Sequence, residues 1–269
     1  MKKKITNLIL VILLLIGLGL LLYPSVSDYW NSLVQSKAIA TYMEEIEDLD
    51  EDKYLALFQE AEDYNEALLK NKKRWIMTDE DKQNYYNTFV VSNTGVMGYI
   101  EIPQINVSLP IYHGVSEEVL QVAIGHIEST SIPIGGEGTH SVLSGHRGLP
   151  SAKIFTDLDK MVVGDVFMIK VLDKTLTYEV DQILIVEPDD IDALEIDAKK
   201  DYCTLVTCTP YGVNSHRLLI RGHRIENALE KQEIRVVSEA IQIEPLVVAP
   251  IVAAPMLFIL LLVLIFKKK

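Results

Sequence analysis

A thiol, an imidazole and a pair of guanidiniums are the groups in this chain most able to do chemistry. Cys208 closes the run Thr204-Leu205-Val206-Thr207-Cys208, an apolar stretch that reads as a strand and stops at Pro210. A thiol at a strand end is held by rigid structure yet open to solvent, which suits a nucleophile. The second cysteine, Cys203, lies five residues earlier. Along one strand the two would be about 16 Å apart and on opposite faces, too far for a disulfide, which needs Cα atoms within about 7 Å. Cys203 therefore reads as an inert core residue. Arg217 and Arg221 follow nine and thirteen residues after Cys208 on the next predicted strand, His216–Arg224, and their even separation puts both on one face. A hairpin-like return brings one of these guanidiniums close to the sulfur. His146 sits in Ser144-Gly145-His146-Arg147-Gly148, a glycine-flanked turn after a strand, which exposes its ring on a loop. A free thiol with a pKa near 8.5 is only a few per cent ionised at neutral pH, so it needs a neighbouring imidazole or guanidinium. Together the three residue types supply a nucleophile, an acid/base and a fixed cation for an oxyanion.

Metal chemistry is not expected. The six histidines, His113, His126, His140, His146, His216 and His223, show no His-Glu-x-x-His spacing, and the cysteines no Cys-x-x-Cys. No cofactor motif is present, and the pattern lacks a glycine-rich phosphate loop opening a helix.

The elements that must position these residues begin after Gly95, where short strands alternate with Gly, Pro and Asn signals. Strands are predicted at Met97–Ile105, Val107–Tyr112, His140–Ser144, Asp165–Leu172, Thr175–Glu187, Asp201–Cys208 and His216–Arg224, with Asp173-Lys174 as a hairpin turn. Helical segments are predicted at Ser116–Ala123 and Ala152–Met161. Many strands, few helices and no strand–helix alternation give a mainly β fold, a closed barrel with helices inserted in its connections. Upstream, residues 28–71 are helical, with Tyr54, Leu57, Phe58, Ala61, Tyr64 and Leu68 at three- and four-residue spacing and a break at Asp48–Asp52. Eleven acids fall between Glu44 and Glu66, a solvated helix face.

The chain has 269 residues, enough to bury a core without disulfide help. Its 25 basic and 38 acidic residues give −13, and six of the lysines are terminal: Lys2, Lys3, Lys4, Lys267, Lys268 and Lys269. A body this acidic excludes sequence-independent nucleic-acid binding, which needs clustered Lys and Arg. No charge occurs from Ile5 to Ser27, nor in the 22 residues Pro245–Phe266. At 1.5 Å per residue, 22 residues cover about 33 Å, enough to cross a bilayer core of roughly 30 Å. Lysines on the outer side of both runs place both termini in the cytoplasm and residues 28–244 outside, in a multi-pass protein of the cell membrane in contact with lipid. A cleaved signal is the competing reading of the first run, although Tyr23-Pro24-Ser25-Val26-Ser27 offers no small-x-small site. Glu244-Pro245-Leu246-Val247-Val248 is no Leu-Pro-x-Thr-Gly segment, so the second run reads as a retained helix rather than the tail of a cell-wall sorting signal.

From Gly95 to Ile225 the chain resembles the class C sortases, the pilin-polymerising cysteine transpeptidases of Gram-positive surfaces. The resemblance is carried by Met97-Gly98-Tyr99-Ile100-Glu101-Ile102-Pro103, Gly125-His126-Ile127-Glu128, Pro133-Ile134-Gly135-Gly136, Ser144 to Lys153, Thr204 to Gly212 and His216 to Arg224, in that order. It implies an eight-stranded barrel, no required cofactor, and catalytic residues matching His146, Cys208 and Arg217, with Arg221 a structural bystander. It further implies a partner with a Leu-Pro-x-Thr-Gly type signal, cleaved between Thr and Gly at Cys208, and an acceptor pilin lysine that resolves the acyl-enzyme. Glu187–Lys200 would shape the signal groove. The family's Asp-Pro-aromatic lid has no match, because residues 25–102 contain no proline. Residues 72–95 do hold Trp75, Asp79, Glu80, Asp81, Tyr85 and Tyr86, and Trp75 is expected to pack the preceding helix against the barrel.

The division that follows is a membrane anchor or signal at 1–27, a helical segment at 28–71, a linker or divergent lid at 72–95, the catalytic barrel at 96–226, a juxtamembrane linker at 227–244, and a transmembrane helix with basic tail at 245–269. Two other functions fit the same residues. One is a sortase that anchors single surface proteins to the cell wall or mainly hydrolyses its substrate. The other is a non-catalytic pilus accessory protein with a sortase barrel.

Overall fold

The computed structural model describes residues 2–91 and 94–227. The chain divides after Trp30 into two units, each taken by itself. Among the described residues the first is the apolar part of α1 (Lys2–Glu47), a helix with Pro24 inside it that is long and apolar enough to cross a membrane. The second apolar run, Pro245–Phe266, and the linker from residue 228 lie outside the described residues.

In the second unit, eight strands form a closed barrel: β1 (Val96–Ile102), β2 (Val107–His113), β3 (Ile124–His126), β4 (Thr139–Ser144), β5 (Val166–Val171), β6 (Lys174–Val186), β7 (Asp201–Thr209) and β8 (His216–Ile225). Around the barrel they run β1-β2-β3-β4-β7-β8-β6-β5. Alternation decides the faces. In β5, Phe167, Ile169 and Val171 are buried while Val166, Met168 and Lys170 are half-buried. Those inner residues meet Ile100, Ile111, Ile124, Leu143, Tyr178, Leu205 and Ile220 in one core. Burying each such side chain stabilises the fold by roughly 1.5–3 kcal/mol. Closure leaves no open sheet edge, and it brings β4 beside β7 in a parallel pair, Ser144 opposite Val206.

The helical N-terminal segment is two helices, as its spacing requires. α1 ends at Glu47, and α2 (Glu51–Lys70) begins where Asp50 accepts the Lys53 N–H at 2.7 Å. α2 buries Leu57, Phe58, Ala61 and Leu68. Three expectations fail locally. Residues 72–95 contain a helix, α3 (Asp79–Asn87), started by a capping box between Thr78 and Asp81. Tyr85 is the residue it buries, too little for a legible period. Ala152–Met161 forms turns and a short 3-10 stretch, Leu158–Lys160, instead of a helix. Ile154 has φ 36°, outside helical space, and Thr156 Oγ1 accepts the Gly148 N–H. β3 went unseen because it has three residues. Ser116–Ala123 contains the expected turn of helix, α4 (Glu117–Leu120), capped by Ser116.

Two imidazoles are built into this core. His126 is fully buried between the Tyr85 hydroxyl at 2.8 Å and the Ser131 carbonyl at 2.8 Å. His140 bonds the Glu195 carbonyl and Thr204 Oγ1 at 2.9 and 2.7 Å. Burial pushes their pKa values down to about 3 and about 4. Below about pH 6.5 the unfolded chain binds protons that the folded one refuses, so stability is lost as pH falls. Each imidazole then removes about 1.4 kcal/mol per pH unit. Asp201, raised by burial, acts in the opposite sense, one group against two. The urea midpoint of the folded domain should therefore drop between pH 6.5 and 5, and a flat profile there would contradict this account.

Candidate active site

The register of β7 and β8 sets Cys208 opposite Arg217 and Thr204 opposite Arg221. Of the two arginines that spacing allows, Arg217 is thus the sulfur's cross-strand neighbour. Arg221 is occupied elsewhere: it forms a two-pronged bond to Asp181 at 3.0 and 2.9 Å and lies over the Tyr202 ring. Cys203 faces the core with no exposed surface, and burial pushes its thiol well up, whereas Cys208 is half-buried. No disulfide joins them.

His146 follows β4, the strand parallel to β7, and the backbone ties the two directly. Gly145 donates its N–H to the Val206 carbonyl at 3.1 Å, and Thr207 Oγ1 donates back to the Gly145 carbonyl at 2.7 Å. Beyond the histidine, Arg147 forms an ion pair with Asp159 at 2.5 Å and reaches Thr209 Oγ1 at 3.4 Å. Gly148 has φ 77°, in the left-handed region that favours glycine, and its Cα lies close under the Tyr211 ring. The histidine turn and the turn after Cys208 are therefore laced together. Sequence reasoning missed Arg147 in this role, although its place beside His146 was visible.

Among the described residues no hydrogen bond yet links Cys208, His146 and Arg217 to one another. His146 Nε2 faces Glu117 Oε2 of α4 at 3.9 Å. Arg217 uses Nη1 alone, donating to the carbonyls of Asn214 and His216 at 3.3 and 3.1 Å. Its other donors have no protein partner among the described residues. The arrangement holds a half-buried thiol, a cation opposite it on the neighbouring strand and an imidazole on the turn bonded alongside. No metal-binding cluster of three or more His, Cys, Asp or Glu side chains occurs among the described residues.

On the same barrel face, Val142, Leu194, Val206 and Leu219 make an apolar patch roofed by Ile191 and Ala193 of the connection Glu187–Lys200. Trp75, which follows α2, packs on this cluster, against the barrel as expected. Arg74 stacks over the Trp75 ring at 4.4 Å, and the Trp75 Nε1–H donates to Glu195 Oε1 at 3.3 Å. Among the described residues no acid of residues 79–81 is paired with Arg217, and Asp81 is held by Thr78 in the capping box. Tyr85 lies inside against His126, and Tyr86 donates to Glu128 at 2.6 Å.

Comparison with known proteins places this geometry in context. The sortase domain family model matches residues 100–225. Sortase D of Bacillus subtilis (strain 168) is 31% identical over 131 residues, 48% of this chain and 63% of that protein, so the chain spans less than two thirds of that relative. Among solved structures, sortase C1 from Streptococcus agalactiae is 51% identical with a TM-score of 0.68, covering 71% of this chain and 99% of that one. Clostridium perfringens sortase C with the C-terminal cell wall sorting motif is 43% identical, TM-score 0.63, covering 71% of this chain and 100% of that one.

Proposed function

Because the chain belongs to the sortase family, alongside its class C members, whose members are cysteine transpeptidases, we propose that it joins surface proteins covalently through Cys208 and polymerises pilins. The observation that carries this reading is the Cys208–Arg217 cross-strand pair with the His146 turn bonded alongside β7. In this reading Cys208 attacks the Thr–Gly carbonyl of a Leu-Pro-x-Thr-Gly type signal. Arg217 has donors without a partner among the described residues, which hold the carbonyl oxygen as it becomes an oxyanion. His146 protonates the departing glycine amine, leaving a thioester on Cys208. A pilin lysine then displaces the sulfur and forms an isopeptide bond.

That Clostridium perfringens sortase C was solved with a cell wall sorting motif supports the substrate class. Action from a membrane anchor belongs to the same reading, supported by the uncharged run Ile5–Ser27 and its flanking lysines.

The full chain in detergent, incubated with a candidate pilin bearing such a signal, should produce a ladder of covalent multimers that survives denaturing electrophoresis. Cleaved monomer without multimers would reject polymerisation and favour wall anchoring or hydrolysis. An unmodified pilin would favour the accessory-protein reading.

A further inference from the structure

We propose that Glu117 is the docking carboxylate for the acceptor's ammonium group, an assignment that rests on the transpeptidase reading above. The second half-reaction brings a lysine side chain, charged at neutral pH with a pKa near 10.4, to a thioester flanked by guanidiniums. Arg147 is neutralised by Asp159. Arg217 bonds carbonyls and forms no ion pair among the described residues, so its full charge repels an arriving ammonium. A carboxylate is needed nearby to offset it.

Glu117 answers that need by position and by accessibility. It is the acid that faces His146, at 3.9 Å, and its side chain is 70% exposed, so a solute can reach it. Its place is built. Ser116 caps the helix turn, Gln121 Nε2 donates to Glu117 Oε1 at 2.5 Å, and Gln35 of α1 donates to the Val122 carbonyl just past the turn at 2.6 Å. One carboxylate oxygen is thus held, and the other faces the imidazole.

The reaction order makes this carboxylate available when it is required. While His146 is protonated, Glu117 offsets its charge. Once His146 has given its proton to the departing glycine amine, the ring is neutral and Glu117 is left uncompensated beside the thioester. The ammonium then docks and gives one proton to His146. Its nitrogen bonds to the acyl carbon as the carbon–sulfur bond breaks, and the second nitrogen proton ends on the Cys208 sulfur. A neutral nucleophile derives no such benefit, which separates docking from any effect on His146 itself.

The test uses the full chain in detergent, a Leu-Pro-x-Thr-Gly peptide as acyl donor, and two acceptors: cationic Nα-acetyl-lysine amide and hydroxylamine, neutral at pH 7.5. In Glu117→Gln the ratio of lysine-adduct to hydroxamate rates should fall about fivefold, the size of a partly exposed charge contact. Glu118→Gln, an equal change in net charge on the same turn, should leave that ratio where it was. An equal loss with both acceptors would mean that Glu117 acts solely through His146, and an equal fall in Glu118→Gln would mean a general field effect; either overturns the assignment. Absence of any thioester on Cys208 by intact mass would instead reject the transpeptidase reading, and this one with it.

Discussion

Replacing Cys208 with alanine should abolish the thioester that a Leu-Pro-x-Thr-Gly peptide leaves on the protein, and reduce turnover at least about 10⁴-fold. No other described thiol can substitute. Cys203 is wholly buried on the opposite face of β7, and burial holds its thiol protonated. Cys203→Ala should accordingly keep turnover within a few-fold, while the small cavity costs about 1 kcal/mol of stability. Intact mass spectrometry after a short incubation reads both outcomes. A thioester persisting in Cys208→Ala, or equal loss of activity in the two variants, would remove Cys208 from the role of single nucleophile.

Arg217→Lys should lower kcat by about 10²- to 10³-fold, with a smaller change in KM. That is the scale seen when one oxyanion donor is lost. The charge is retained in this variant, but the planar fork is not. Arg217 spends Nη1 on the carbonyls of Asn214 and His216 and has further donors for a substrate oxygen, whereas an ammonium is a point charge on a flexible stem. Steady-state kinetics with a labelled signal peptide measures the split. Near-normal turnover would show that Arg217 contributes charge alone. Removing Arg221 is a different case, because it would strand Asp181, its partner on β6, and act on stability.

The local features of this site were readable along the chain. Gly, Pro and Asn signals between short apolar runs marked most of the strands, since turn chemistry is local. Strand parity separated Cys203 from Cys208 and put Arg217 and Arg221 on one face. Glycines around His146 marked a turn, and the acids at Asp48–Asp52 marked the break between α1 and α2. What periodicity could not supply was anything fixed by pairing between distant segments. The choice between two equally spaced arginines depended on the β7–β8 register and on Asp181 of β6 capturing Arg221. The neighbourhood of His146 depended on the parallel β4–β7 pairing and on α4, which brings Glu117 to the imidazole. β3 and α3 escaped because elements of three and nine residues have too little repeat of their own. One is held by its strand neighbours, the other by a cap and one buried tyrosine. Alternation and turn chemistry are properties of adjacent residues, and so the sequence by itself determined the elements and the candidate residues. Register, barrel closure and charge neutralisation are properties of segments far apart in the chain, and only the tertiary structure decided which of those residues face one another.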